Sequence, residues 1–123
     1  MAENNFLRQV NTVPNFGVDL LFNANENEIP AGDMTTTHII PKGKVIFGVI
    51  YRNIENNVAG SGTVLAKVGS TALGTAEDVA DIKGTSVVQV LATPVIATGD
   101  PVKLTVGTSA ITGGDLDVVI LYA

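Results

Sequence analysis

Turn-forming residues punctuate this chain every 8–12 residues, and the apolar runs between them alternate with period two. Gly17 to Phe22 puts Val18, Leu20 and Phe22 on one face. Ile29-Pro30-Ala31-Gly32-Asp33 then turns the chain into a Thr-rich strand, Met34 to Ile40. Pro41-Lys42-Gly43-Lys44 leads to the strongest run, Val45 to Asn53. There strict alternation sets Val45, Phe47, Val49 and Tyr51 on one face, and Ile46 and Ile50 on the other beside Gly48 and Arg52. With both faces apolar, this strand is central or lies against a second subunit. Further strands are expected at Thr63 to Val68, Ser86 to Leu91, Val102 to Gly107 and Leu116 to Tyr122. One short helix is expected over Thr75 to Gly84: Thr75 caps it, Val79 and Ile82 share a face, and Gly84 stops it.

Composition supports the same class. Val, Ile and Thr number 17, 10 and 13, a third of 123 residues, and such side chains fit a pleated surface better than a helix. The expected fold is all-β, an antiparallel β-sandwich of jelly-roll type and one domain in size. Residues 17–123 form that domain. Residues 1–16 are polar, Asn-rich and interrupted by Pro14, and they read as an extended N-terminal arm. The arm nevertheless carries Phe6, Leu7, Val10, Val13 and Phe16, which a lone subunit has little to bury against. It therefore reads as a segment that docks on a neighbour, in competition with a frayed terminus or a first strand of the same sandwich.

Charge and residue usage exclude several functions. A formal net charge of −5, with seven scattered basic residues, gives no footprint for nucleic acid or an anionic membrane. The chain has no Cys, so disulfides, thiolate zinc sites and thiol nucleophiles are ruled out. No apolar leader, long apolar run or glycosylation sequon is present, and the chain reads as soluble and made in a cytosol.

Catalytic constellations are also missing. A Ser–His–Asp site needs a histidine base, and the single His38 lies in a strand pattern on the face of Met34, Thr36 and Ile40, where a half-buried structural role is expected. The acids cluster in turns, Glu26 with Glu28, Glu77 with Asp78, Asp115 with Asp117, as solubility and capping require, and not as a glycosidase pair. Gly113-Gly114-Asp115-Leu116-Asp117 offers two acids at i, i+2. A calcium cage wants six to eight oxygens, so the segment reads as a turn into the last strand with solvated acids. Gly60-Ser61-Gly62 lacks the Lys-Ser/Thr of a phosphate loop. No enzyme, metal site or cofactor is expected.

Five segments carry a family likeness: Ile-Pro-Ala-Gly (29–32), Ile-Pro-Lys-Gly-Lys-Val-Ile (40–46), Thr-Val-Leu-Ala-Lys-Val-Gly (63–69), Pro-Val-Lys-Leu-Thr-Val-Gly (101–107) and Ile-Thr-Gly-Gly-Asp-Leu-Asp-Val-Val-Ile-Leu-Tyr-Ala (111–123). In order and spacing, residues 29–123 resemble the jelly-roll head decoration, or cement, proteins of tailed bacteriophages. The resemblance implies a structural virion protein, synthesised in the host cytoplasm and placed on the outer capsid surface. It implies a homotrimer that binds the major capsid protein and bridges its subunits in the expanded shell, with no catalytic residues. On that reading the arm residues Phe6, Leu7, Arg8, Val10, Val13 and Phe16 contact the capsid or a neighbour, while Ile46 and Ile50 form a trimer face. The alternative is a trimeric tail, fibre or spike module that attaches to a host surface, against which the few aromatics and the lack of a fibrous shaft count.

Overall fold

In the computed structural model, residues 7–13 and 16–123 are described, and they contain ten strands and one turn of helix. The strands are β1 (Leu7–Val13), β2 (Gly17–Asn23), β3 (Gly32–Ile39), β4 (Val45–Asn53), β5 (Thr63–Val68), β6 (Thr71–Ala72), β7 (Glu77–Asp78), β8 (Ser86–Ile96), β9 (Pro101–Gly107) and β10 (Asp115–Tyr122). They form two antiparallel sheets, one in the order β1-β2-β10-β4-β8, the other β3-β9-β5-β6 with β7 also on β5.

This is the sandwich expected from the sequence, and its connectivity is a jelly roll. The chain pairs β2 with β10, β3 with β9, β4 with β8, and β5 with β6 and β7, so early strands meet late ones as in one long hairpin. Rolling that hairpin up brings β10 against β4 and β9 against β5, which splits the pairs between two sheets. Strand bounds follow the alternation closely. β4 and β5 match expectation residue for residue, whereas β8 runs on through Pro94 to Ile96. Pro94 is tolerated because β8 lies at an edge of its sheet.

Between the sheets lies a core of aliphatic residues with Phe22, Tyr51 and Tyr122. Leu20, Phe22, Val49, Tyr51, Val118 and Ile120 come from the first sheet; Val64, Ala66, Val68, Leu104 and Val106 face them from the second. Tyr51 also ties the sheets together. β5 pairs with β7 through Thr63 and Val64 and with β6 through Lys67 and Val68, which leaves Ala66 between the two short partners. The Ala66 N–H donates to Tyr51 Oη at 2.9 Å, and the Ala66 carbonyl accepts from Leu73 N at 2.9 Å. The gap in the ladder is thus closed by a side chain from the opposite sheet.

The helix is shorter than the sequence suggested. α1 spans Val79–Ile82 and starts after Asp78, which makes no side-chain cap. Thr75 does not cap it, because Gln89 holds its backbone: Thr75 N donates to Gln89 Oε1 at 3.0 Å and Gln89 Nε2 donates to Thr75 O at 2.9 Å. Val79 and Ile82 are buried as expected, and Gly84, at φ 73, follows the Lys83 cap in the left-handed conformation that ends such turns.

Candidate functional site

Surface chemistry distinguishes the two outer faces of the sandwich. On the second sheet, register places Asp33 opposite Thr105, Thr35 opposite Lys103, and Lys67 opposite Lys103, a polar, water-facing set. The Thr105 hydroxyl donates to Asp33 Oδ1 at 2.7 Å and holds that carboxyl below its usual value against a desolvation cost, with Lys67 and Lys103 adding to the lowering.

The first sheet differs. Three cross-strand rows run over its outer face. One is Val88, Ile50, Val119, Asp19 and Asn11; a second is Val90, Gly48, Leu121 and Gly17; the third is Ser86, Arg52, Asp117, Leu21 and Gln9. Their centre is aliphatic, and toward the β8 edge it is open, with Val88 58% and Val90 81% exposed. Val45, Phe47 and Ile96 add exposed apolar surface on the same two strands. β8 contains no charged residue along its eleven positions, and charge is one device by which an edge strand avoids partners. Leu121 lies across Gly48, where a Cβ would sit 3.3 Å from Leu121 Cδ1, so the glycine lets the aliphatic centre close up.

Set into this face is a cluster of three charges. Arg52 Nε donates to Asp117 Oδ2 at 2.6 Å, and its Nη2 reaches Asp19 Oδ2 at 3.5 Å. The Asp117 side chain is 1% exposed, Asp19 27% and Arg52 42%. Burial pushes the Asp117 carboxyl up to about 7, and Asp19 beside it adds to the rise, against the pull of the Arg52 guanidinium. Arg52 is in turn held more firmly charged, chiefly by its hydrogen bond to Asp117.

The expected site residues meet different fates. Ile46 is not on a subunit face. A bulge in β4, where the register with both β8 and β10 slips between Ile46 and Gly48, reverses the alternation. Ile46 thereby joins Val49 and Tyr51 in the core, fully buried, while Val45 and Phe47 turn outward. Ile50 does point outward and is half-buried. Of the arm, residues 7–13 are β1, paired antiparallel with β2 along its length. Leu7 packs on the core, Val10 and Phe16 are exposed, and Phe6 together with the side chains of Arg8 and Val13 lies outside the described residues.

The acids of the last strand are also placed differently from expectation. Asp115 and Asp117 are both buried, not solvated. Asp115 accepts from Asn25 Nδ2 at 2.7 Å and from Asn56 N at 3.3 Å, so N–H donors face its oxygens where a cation cage would set further oxygens. His38 occupies a bulge of β3, where the register jumps between Thr35 and Ile39. Thr36 Oγ1 donates to the Val102 carbonyl at 2.8 Å and accepts from His38 N at 3.2 Å, standing in for the interrupted ladder. His38 is half-buried as expected, its Nε2 has no hydrogen-bond partner among the described residues, and burial lowers its pKa.

Sequence reasoning missed the charge cluster. Asp19, Arg52 and Asp117 are far apart in the chain, and the one available signal was a charged residue within each of three apolar strands.

No family model matches the chain, and no curated protein does. Among solved structures, it is similar to a chain of the "Cyanophage Pam1 capsid asymmetric unit", at 16% identity and a TM-score of 0.46, with 94% of this chain and 91% of that chain covered. A likeness of that degree assigns neither a family nor a function.

Proposed function

We propose that this chain is a capsid decoration, or cement, protein of a tailed bacteriophage: a homotrimer on the outer surface of the head that bridges major capsid subunits and stabilises the expanded shell. The observation that carries this reading is the apolar outer face of β4 and β8. Val88, Val90, Phe47 and Ile96 are presented to water on an uncharged edge, and a surface of this kind is a contact surface. The jelly-roll connectivity is the one implied by the sequence segments at 29–32, 40–46, 63–69, 101–107 and 111–123, whose strands β4, β5, β9 and β10 are interior to the two sheets.

The division of labour follows from the two surfaces. The β4–β8 face, with Ile50 at its centre, is the contact between copies. The N-terminal segment, with the exposed Val10 and Phe16, is the contact with the shell. Three weak shell contacts on one trimer act together, and avidity of this kind strengthens binding by roughly 10²–10⁴. Binding only the assembled shell stabilises it by mass action.

Quantitative mass spectrometry of purified virions, referenced to the major capsid protein, tests this. Hundreds of copies in a simple ratio to the shell subunit are expected. A handful per particle would replace the reading with a tail, fibre or spike module, and none would end the assignment to the virion.

A further inference from the structure

The charge cluster on the proposed contact face is incomplete within one chain. Two carboxylates, Asp19 on β2 and Asp117 on β10, share the single guanidinium of Arg52 on β4, and Arg52 is committed mainly to Asp117. Asp19 Oδ1 is buried and has no hydrogen-bond donor among the described residues. In the surrounding rows the neighbours are Ser86, Leu21, Gln9, Val88, Ile50, Val119 and Asn11, none of which ionises near neutral pH. Asp115, farther along β10, is occupied by Asn25 and Asn56.

Resting on the subunit contact proposed above, we propose that a second copy of this chain, on covering this face, sets a lysine or arginine side chain against Asp19 and so completes the cluster with a second cation. Charge complementarity selects this occupant. Covering the face removes the water that now screens Asp19, and a buried carboxylate without a donor is costly. Among the described residues, Lys42, Lys44, Lys67 and Lys83 make no ion pair, so the chain itself carries uncommitted cations. A divalent metal ion suits the site less well, because the Arg52 guanidinium already stands against Asp117 Oδ2.

The proposal fixes the sign of a measurable effect. If a second cation arrives, Asp117 gives up its proton on assembly, and association tightens as pH rises. If none arrives, covering the face makes Asp117 bind its proton harder, and association tightens as pH falls. In the uncovered chain Asp117 is held up to about 7, by desolvation first and by Asp19 second. Release of one proton per contact then strengthens each contact by about tenfold between pH 6 and pH 8.

Sedimentation equilibrium of the full chain across that range reads this directly, with circular dichroism to verify folding. The wild type is expected to associate more tightly at pH 8, and Asp19→Asn to associate more weakly there and to lose the pH dependence. Association that weakens or stays level as pH rises, or an Asp19→Asn variant matching the wild type, would overturn the inference while leaving the subunit contact standing. A wild-type chain that is monomeric at every pH would remove the contact and the inference together.

Discussion

Tyr51→Phe isolates one hydrogen bond that spans the sandwich. The substitution removes the Tyr51 hydroxyl and leaves the rest of the fully buried ring in place. The Ala66 N–H that donated to it at 2.9 Å then has no acceptor, because β6 and β7 flank that position without covering it. Leaving a buried donor unpaired costs about 1–3 kcal/mol, and the small void left by the oxygen adds to the same side. With a urea m-value of about 2 kcal/mol/M for a chain of this size, the midpoint falls by roughly 0.5–1.5 M. Urea unfolding at fixed protein concentration measures this, and amide exchange at Ala66 supplies a local readout that should quicken. The wild-type phenol, pushed up to about 12 chiefly by burial, should also stay protonated in the folded protein well above the range where a free tyrosine ionises. A midpoint shift equivalent to less than about 0.3 kcal/mol with unchanged exchange at Ala66 would refute the reasoning, since the donor would then have found another partner.

Three further outcomes are expected. Ile46→Glu should unfold the chain, since it places a carboxylate in the core, whereas Ile50→Glu should remain folded and lose self-association; circular dichroism with light scattering separates the two. Burial lowers the pKa of His38 in the folded state, so its contribution is complete above the unfolded value near 6.5 and is lost as pH falls below it. His38→Gln should therefore flatten the acid side of the stability profile measured by thermal melting between pH 7 and pH 5. Deleting residues 2–14 removes β1 and exposes the far edge of β2; the remaining sandwich should fold, with head binding in a pull-down on undecorated capsids lost.

Much of the fold was legible in the sequence because its information is local. Alternation with period two, set between Pro- and Gly-containing turns, placed β4 and β5 to the residue and β2, β9 and β10 to within one. The last turn was readable for the same reason: Gly114, at φ 88, takes a conformation that the Gly-Gly pair permits. Alternation misled where the backbone departs from its ideal period. The bulge at Ile46–Gly48 depends on how β4 meets β8 and β10 together, and it moved Ile46 from an expected surface to the core. Thr75 failed as a helix cap for a similar reason, since Gln89 from a later strand took its backbone groups.

The sequence by itself determined a β chain with short strands, tight turns and apolar residues on both faces of its central strand. Tertiary structure alone decided which apolar residues remain outside, and it drew Asp19, Arg52 and Asp117 into one cluster. Arg52 and Asp117 are 65 positions apart, and only the β10–β4 register sets them opposite each other. The cluster's chemistry is equally non-local. A carboxyl in a sequence has an ordinary affinity for protons, and the walls that strip its water, here from β2 and β4, change that affinity only once the sheet has formed.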